Sequence, residues 1–231
     1  MRVDLNCDLG EGCDYDLDLL PLITSANVAC GGHAGDPAAM QRTLAGAARH
    51  GIRVGAHHGF MDREHFGRRE LSRTSAEIFQ DCVYQIGALI ALARAVGVQV
   101  RYIKAHGALY NMACREDSVA QPLLAVAEFF ELPLLGLPGS RIEVLSKGRC
   151  RFVPEGFADR RYRPDGSLVP RDQADAFVHD PGEAARQALG LVRDRGVETI
   201  CVHGDNPRAL DFVRALREAL ANAGCEIRPF T

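Results

Sequence analysis

Short apolar runs alternate along this chain with longer segments whose apolar positions recur at i, i+3 and i+4. The runs at residues 3–7, 26–30, 52–57, 100–104, 134–137, 151–154 and 199–203 read as strands, and 225–227 as a terminal one. Between them lie predicted helices. A short one covers 17–23, limited by Pro21. Another runs from Pro37 to His50, with Asp36 as its cap, Pro37 in its first turn and Gly51 as its stop. Thr74-Ser-Ala-Glu77 is a capping box that opens a helix to about Val96, with Ile78, Cys82, Ile86, Leu89 and Ala93 on one face. Further helices are expected over 118–130, with Pro122 near its first turn, over 140–146, from Asp180-Pro181 to Gly196, and from Asn206-Pro207 onward.

Seven β/α units with short connections predict an α/β fold. The expected form is a distorted, seven-stranded, TIM-like β/α barrel, as one domain over 1–231. A doubly wound sheet would gather its chemistry at one switch point. Here chemistry-bearing residues follow nearly every strand, and in a barrel those ends share one face. Two stretches are irregular: the polar loop 59–73 and the segment 155–180, which holds the Pro164-Asp-Gly166 turn.

The organising stretch is 27–37, Asn-Val-Ala-Cys-Gly-Gly-His-Ala-Gly-Asp-Pro, read as strand, turn and helix start. It holds His33 at a strand end. His57, His106 and His203 repeat that context. His50 ends a helix and complements its dipole, while His65 and His179 lie in polar loops. On the first strand, alternation puts Asp4, Asn6 and Asp8 on one side, and Glu11 follows a glycine at the rim. Asp4 reads as a structural cap or pair. Lys104 would point the same way as His106 and serve an anion. Asp159, Arg160 and Arg161 sit on what reads as a mobile loop, with Arg160 as a carboxylate clamp. Gly204-Asp205-Asn206 offers backbone amides and a carboxylate after the last strand.

Two uses compete for the histidines. One is ligation of a divalent metal, with Asp8, His33 and His57 as candidate ligands and a position left for water. The other is metal-free acid/base and oxyanion duty. The sequence has no His-x-x-x-His pair on a helix to favour the metal. It also lacks Gly-x-x-x-x-Gly-Lys-Ser/Thr, so any ATP is bound without a P-loop.

Composition narrows the classes. The 231 residues carry a formal net charge of −3 and no Trp, which argues against nucleic acid and membrane surfaces as partners. No signal peptide is read at the N-terminus, and the most apolar window, 86–100, is too short and too interrupted to span a bilayer. Eight Cys without a Cys-x-x-Cys pair read as reduced thiols, with Cys30 the candidate exception. The expected compartment is the cytoplasm.

Several stretches together resemble the LamB/YcsF family: residues 4–11 (Asp-Leu-Asn-Cys-Asp-Leu-Gly-Glu), 26–37, 104–111 (Lys-Ala-His-Gly-Ala-Leu-Tyr-Asn), 157–162, 164–171 and 200–205. The likeness covers nearly the whole chain, in matching order. It implies a barrel similar to glycoside hydrolase and deacetylase barrels. It also implies ATP-dependent opening of the lactam of 5-oxo-L-proline to L-glutamate, with ATP as co-substrate and partner subunits of the PxpB and PxpC type. The chain departs from the family pattern at His58, Met61 and Ala105, where proline is usual, and at Gly32, where a larger residue is usual.

On that reading Asp8, Glu11, His33, His57, His106 and Asp205 are the candidate catalytic residues, with Asp8 or Asp205 as general base. Asn6, Lys104, Asp159, Arg160 and His203 are the candidate substrate-binding residues. Two alternatives stand beside it: a metal-dependent, ATP-independent deacetylase or amidase, and a non-catalytic binding subunit.

Overall fold

The structure is a computed structural model describing residues 1–206 and 208–231. Among them, strands β1 (Arg2–Leu9), β2 (Ser25–Ala29), β3 (Arg53–His58), β4 (Val100–Ala105), β5 (Leu134–Gly136), β6 (Phe152–Phe157) and β7 (Thr199–His203) run parallel in that order. β1 pairs with both β2 and β7, which closes the ring. A short β8 (Glu226–Ile227) adds to the start of β1. Helices α1 (Pro37–His50), α2 (Ser75–Ala95), α3 (Gly107–Arg115), α4 (Asp117–Phe130), α5 (Arg141–Ser146), α6 (Pro181–Asp194) and α7 (Ala209–Asn222) surround it.

The local signals act as expected at several ends. Asp36 accepts from the Ala39 amide at 2.7 Å, and Gly51 stops α1 at φ 67°. Thr74 and Glu77 form both halves of the capping box that opens α2. α2 is long and apolar enough to cross a bilayer, yet Ile78, Cys82, Ile86, Leu89 and Ala93 are buried against the barrel.

Other expectations need correction. The helix expected over 17–23 is a single 3-10 turn, Leu20–Leu22. β6 extends past Pro154 and carries Glu155, so this carboxylate belongs to the barrel wall rather than to a loop. Arg160 is likewise buried and pinned, not mobile: it bridges to Phe177, and its guanidinium donates to Val169 O and Ala176 O. α3 was not anticipated, because it opens on a glycine with no side-chain cap. Pro122 is the sixth residue of α4 and so cannot donate to the Ser118 carbonyl; the Ser75 hydroxyl of α2 donates to that carbonyl instead, at 3.3 Å. The last helix begins at Ala209, and Pro207, expected to open it, lies outside the described residues.

Alternation along the strands sorts side chains into two sets. Val3, Leu5, Cys7 and Leu9 of β1 belong to the large apolar core with residues of the surrounding helices. The ring interior is different. Tyr102, Leu135, Val153 and Phe230 form a small apolar plug. Tyr102 crosses the interior over Gly55, where a Cβ would lie 2.1 Å from its ring. Beyond the plug the interior is polar. Asn6 donates to Glu155 Oε1 and to the Thr199 hydroxyl, Asn27 donates to Asn6 and Asp8, and the Tyr102 hydroxyl donates to Asn27. Most barrels of this kind are filled by branched aliphatic layers.

Asp4 ends this network. Its carboxylate accepts from the hydroxyls of Thr24, Ser25 and Thr199. Burial pushes its carboxyl up to about 6 despite those bonds. Between about pH 4 and pH 6 the folded chain therefore binds more protons here than the unfolded one. The stability this group contributes is complete below its unfolded pKa and is lost as pH rises through about 6. Asp4→Asn should remove that slope. Urea titrations at pH 4 and pH 7 should show the variant gaining on the wild type by ~2–3 kcal/mol at the higher pH. A parallel pair of pH profiles would reject the assignment.

Candidate active site

The register of the ring sets the site. Asp8 of β1 lies opposite His203 of β7 and Asn27 of β2, and His57 of β3 lies opposite Lys104 of β4. Because all strands are parallel, these residues reach the same end. There Asp8, His57, Lys104 and His203 line a cleft of about 370 Å³, counted with its open mouth. His106, Tyr110, Phe157, Arg68, Arg160 and Arg171 complete its wall.

Lys104 is the cleft's buried floor. Its Nζ lies 2.8 Å from Asp8 Oδ1 and 2.9 Å from Glu155 Oε1, and it donates to Cys201 Sγ at 3.1 Å. Burial alone would lower the Lys104 pKa, but Asp8, Cys201 and Glu155 outweigh it and hold the ammonium charged, well above its ordinary value. Burial would raise the Asp8 carboxyl; His57 and Lys104 instead hold it well below the usual range. Asp8 Oδ2 faces His57 Nε2 at 3.3 Å and His203 Nε2 at 3.9 Å.

Behind this floor stands a histidine cluster. His33 and His106 stack with ring centroids 3.6 Å apart, and His57 meets both edge-on. Glu11 Oε1 reaches His33 Nε2 at 2.9 Å, His106 Nδ1 at 3.3 Å and His57 Nε2 at 3.7 Å. Burial opposes charge on Glu11, but the neighbouring His106 and His33 rings hold its carboxyl well below normal. Burial, then His106, lowers His33 to about 3. His57 is also opposed by burial, yet Asp8 raises it. The ligand atoms of Glu11, His33, His57 and His106 lie within 4.8 Å of one another, as do those of Asp8, Cys201 and His203.

The loop 59–73 closes over this cluster, and glycines permit the approach. A Cβ on Gly67 would lie 2.7 Å from His33 Cβ, and one on Gly107 2.6 Å from the Gly67 carbonyl. Phe66, held at φ 55°, presents its carbonyl to His106 Nε2 at 2.9 Å. Gln85 of α2 anchors the same loop by bonding both the amide and the carbonyl of Gly59. The Gln85 side chain also explains the small residue at Gly32, where a Cβ would fall 2.3 Å from its Oε1. His58 turns away from the cleft into the core, and among the described residues neither ring nitrogen has a partner.

His203 forms a dyad on the opposite wall. Its Nδ1 lies 3.0 Å from Asp159 Oδ1, and its ring stacks on Phe157. Asp159 also accepts from the His203 backbone amide, at 3.2 Å. Burial would raise the Asp159 carboxyl, but His203 keeps it low.

The mouth is positive. Arg68 and Arg171 both reach Asp205, and burial together with Arg171 brings the Arg160 guanidinium down to about 10. Of the residues anticipated from sequence, Asp8, His57, Lys104, His106, Arg160 and His203 line the cleft. Glu11 and His33 stand behind His57 and His106. Asp159 backs His203, Asn6 lies a layer below in the polar interior, and Asp205 pairs with the rim arginines. Arg68, Arg171, Tyr110 and Phe157 were not singled out. Cys30, the expected exception among the thiols, is buried, and burial pushes its pKa up.

The model of the LamB/YcsF family matches residues 3–231. The chain belongs to that family. A LamB/YcsF relative, the A subunit of 5-oxoprolinase from Paracidovorax citrulli, is 44% identical over 250 aligned residues covering all of both chains. The crystal structure of the lactam utilization protein from Thermus thermophilus covers all of both chains at 39% identity and a TM-score of 0.91. The LamB/YcsF chain also shares its fold with a family 4 carbohydrate esterase from Streptomyces lividans, at a TM-score of 0.56 and 13% identity, over 100% of this chain and 93% of that one.

The buried Lys104 triad generates a stability prediction. Lys104→Met leaves Asp8 and Glu155 without their shared cation and should cost about 3–5 kcal/mol in urea unfolding. Adding Glu155→Gln should recover part of that loss. A loss below about 1 kcal/mol would refute the triad as a structural tie.

Proposed function

We propose that this chain is PxpA, the lactam-binding barrel of an ATP-dependent 5-oxoprolinase, acting as a single 1–231 domain with PxpB- and PxpC-type partners. The observation that carries the reading is the division of charge in the cleft. Three guanidiniums crowd its mouth, while a buried ammonium and an oriented imidazole share its depth. The relative from Paracidovorax citrulli, named for 5-oxoprolinase, and the lactam utilization protein supply the substrate class. Its eight free cysteines suit a reducing cytoplasm.

5-Oxo-L-proline has one carboxylate and one lactam. The carboxylate belongs at Arg160, Arg68 and Arg171, where it relieves the repulsion among them. The lactam then enters toward Lys104, whose Nζ is placed to stabilise developing negative charge on the carbonyl oxygen. A five-membered lactam recloses easily, so hydrolysis benefits from coupling to ATP. Phosphorylation of the amide oxygen, with ADP leaving, makes a carbon that water can attack. The ring C–N bond then breaks as nitrogen takes a proton, and a second water releases phosphate from the acyl phosphate to give glutamate.

The general base is His203. Asp159 fixes the Nδ1 hydrogen, leaving Nε2 as a lone pair on the cleft wall. Asp8 is a weaker choice, because His57 and Lys104 hold its carboxyl low. Asp205 is occupied by Arg68 and Arg171. His57 and His106 border the reacting group from the third side. The Glu11 cluster supports one other reading, a metal-dependent, ATP-independent amidase.

Reconstitution tests the assignment. The chain with its partners, 5-oxo-L-proline and ATP should release glutamate and ADP in equal amounts. Glutamate formed without ATP would sink the coupled reaction and favour the amidase. Asp159→Asn and His203→Ala should each lower kcat ~10²–10⁴-fold with KM little changed. Undiminished turnover in both, with normal assembly, would leave the chain a binding subunit.

A further inference from the structure

The Glu11 cluster contains an arrangement that lactam binding does not require. Backbone carbonyls fix the tautomers of two of its rings. A carbonyl oxygen only accepts, so the ring nitrogen facing it carries the hydrogen. His57 Nδ1 faces Lys104 O at 3.1 Å, and His106 Nε2 faces Phe66 O at 2.9 Å. In each neutral ring the other nitrogen is therefore a bare lone pair. Those two nitrogens, His57 Nε2 and His106 Nδ1, face each other at 3.0 Å.

Carboxylate oxygens converge on the same point. Glu11 Oε1 lies 3.3 Å from His106 Nδ1 and 3.7 Å from His57 Nε2, and Asp8 Oδ2 lies 3.3 Å from His57 Nε2. With both rings neutral, Glu11 Oε1, His57 Nε2 and His106 Nδ1 meet with no hydrogen between them, and Asp8 Oδ2 sets a further lone pair against His57. A single proton on His57 Nε2 bridges one of these contacts and leaves Glu11 Oε1 against the His106 lone pair. A cation satisfies them together.

We infer that Glu11 Oε1, His57 Nε2 and His106 Nδ1 bind one divalent transition-metal ion of the zinc class, with a coordination position open to the cleft. The spacing suits such an ion. Tetrahedral bonds of about 2.0–2.2 Å separate ligand atoms by roughly 3.3–3.6 Å, and the three separations here are 3.0, 3.3 and 3.7 Å. Two imidazoles and a carboxylate favour zinc, cobalt or nickel over magnesium or calcium. The carbonyls of Lys104 and Phe66 hold the two ligand rings in place, as outer partners of metal-bound histidines do.

This set differs from the ligands expected from sequence, Asp8, His33 and His57. His33 has the wrong surroundings for a ligand: its Nδ1 has no partner among the described residues. Its Nε2 instead donates to Glu11 Oε1 at 2.9 Å, which makes it a positioning residue for the carboxylate. Asp8 is committed through Oδ1 to Lys104 and Asn27.

The test measures metal content and does not depend on the lactam reading, so failure of either leaves the other standing. The full chain, stripped with chelator and equilibrated with Zn²⁺, should retain about one ion per chain by mass spectrometry after dialysis, and its Tm should rise with Zn²⁺. His57→Ala and His106→Ala should each lower retention more than tenfold, while circular dichroism confirms folding. His33→Ala should still bind about one ion, but with ~10–100-fold weaker affinity. The wild type loaded with Co²⁺ should show the visible absorption of a tetrahedral site, an arm that needs no variant. Retention below about a tenth of an ion by the wild type would overturn the proposal in favour of a shared proton. Undiminished retention by the His57→Ala/His106→Ala double variant would show adventitious binding and overturn it equally. Loss of binding in folded His33→Ala as complete as in His57→Ala would overturn the ligand assignment.

Discussion

A single ammonium group inside the ring, Lys104 between Asp8 and Glu155, constrains the rest of the molecule. Three charged groups out of water cost far more than one contact returns, so each needs further partners. Asn6 and Asn27 supply them, with Thr199 accepting from Asn6 in turn, and that requirement turns the middle of the barrel polar. The aliphatic layers that usually fill such a ring are confined to a small plug at the other end. Apolar burial must then come mostly from the outer surface of the strands, where α1–α7 pack on Val28, Val54, Ile103 and Ile200. The site and the core are thus divided by strand parity: on most strands one face serves chemistry, the other stability, while β5 gives only Leu135 to the plug.

That division made much of the site legible. In strands of a β/α unit, a histidine or lysine at a strand end has one of only two orientations. Asp4, Asn6 and Asp8 share the interior side of β1, as alternation implied, and Lys104 and His106 line the same cleft. The fold was legible for a similar reason, since capping residues and glycine stops mark α1 and α2 locally. Glu155 was not legible, because Pro154 and Gly156 flank it and disguise a strand as a loop. Its role depends on Lys104, which is far away in sequence. Arg68 and Arg171 were hidden differently. A loop arginine carries no mark that separates a solvated charge from one aimed into a cleft, and only their shared contact with Asp205 distinguishes them.

The same contrast separates the two sides of the cleft. On the histidine side, position is imposed by backbone: Phe66 O and Lys104 O orient two rings, and Gly67 and Gly107 let one loop close over them. Fixed dipoles of this kind hold their direction without further reorganisation, which is what a reacting group needs from its surroundings. On the His203 side, a buried carboxylate does the orienting, and a stacked Phe157 limits the ring's rotation.

The mouth works by a third principle. Arg160 is tied to the carbonyls of Val169 and Ala176, so it cannot swing away from Arg171 and Arg68. Like charges held together by the fold store repulsion, and an entering anion releases it. Asp205 already offsets part of that repulsion, from the segment after β7. Arg68 comes from the loop after β3 and Arg171 from the segment after β6. An anion bound among the guanidiniums would therefore hold together segments that follow two different strands, β3 and β6. Arg68 belongs to loop 59–73, the same loop that places the Phe66 carbonyl against His106, so the rim and the histidine cluster share one segment.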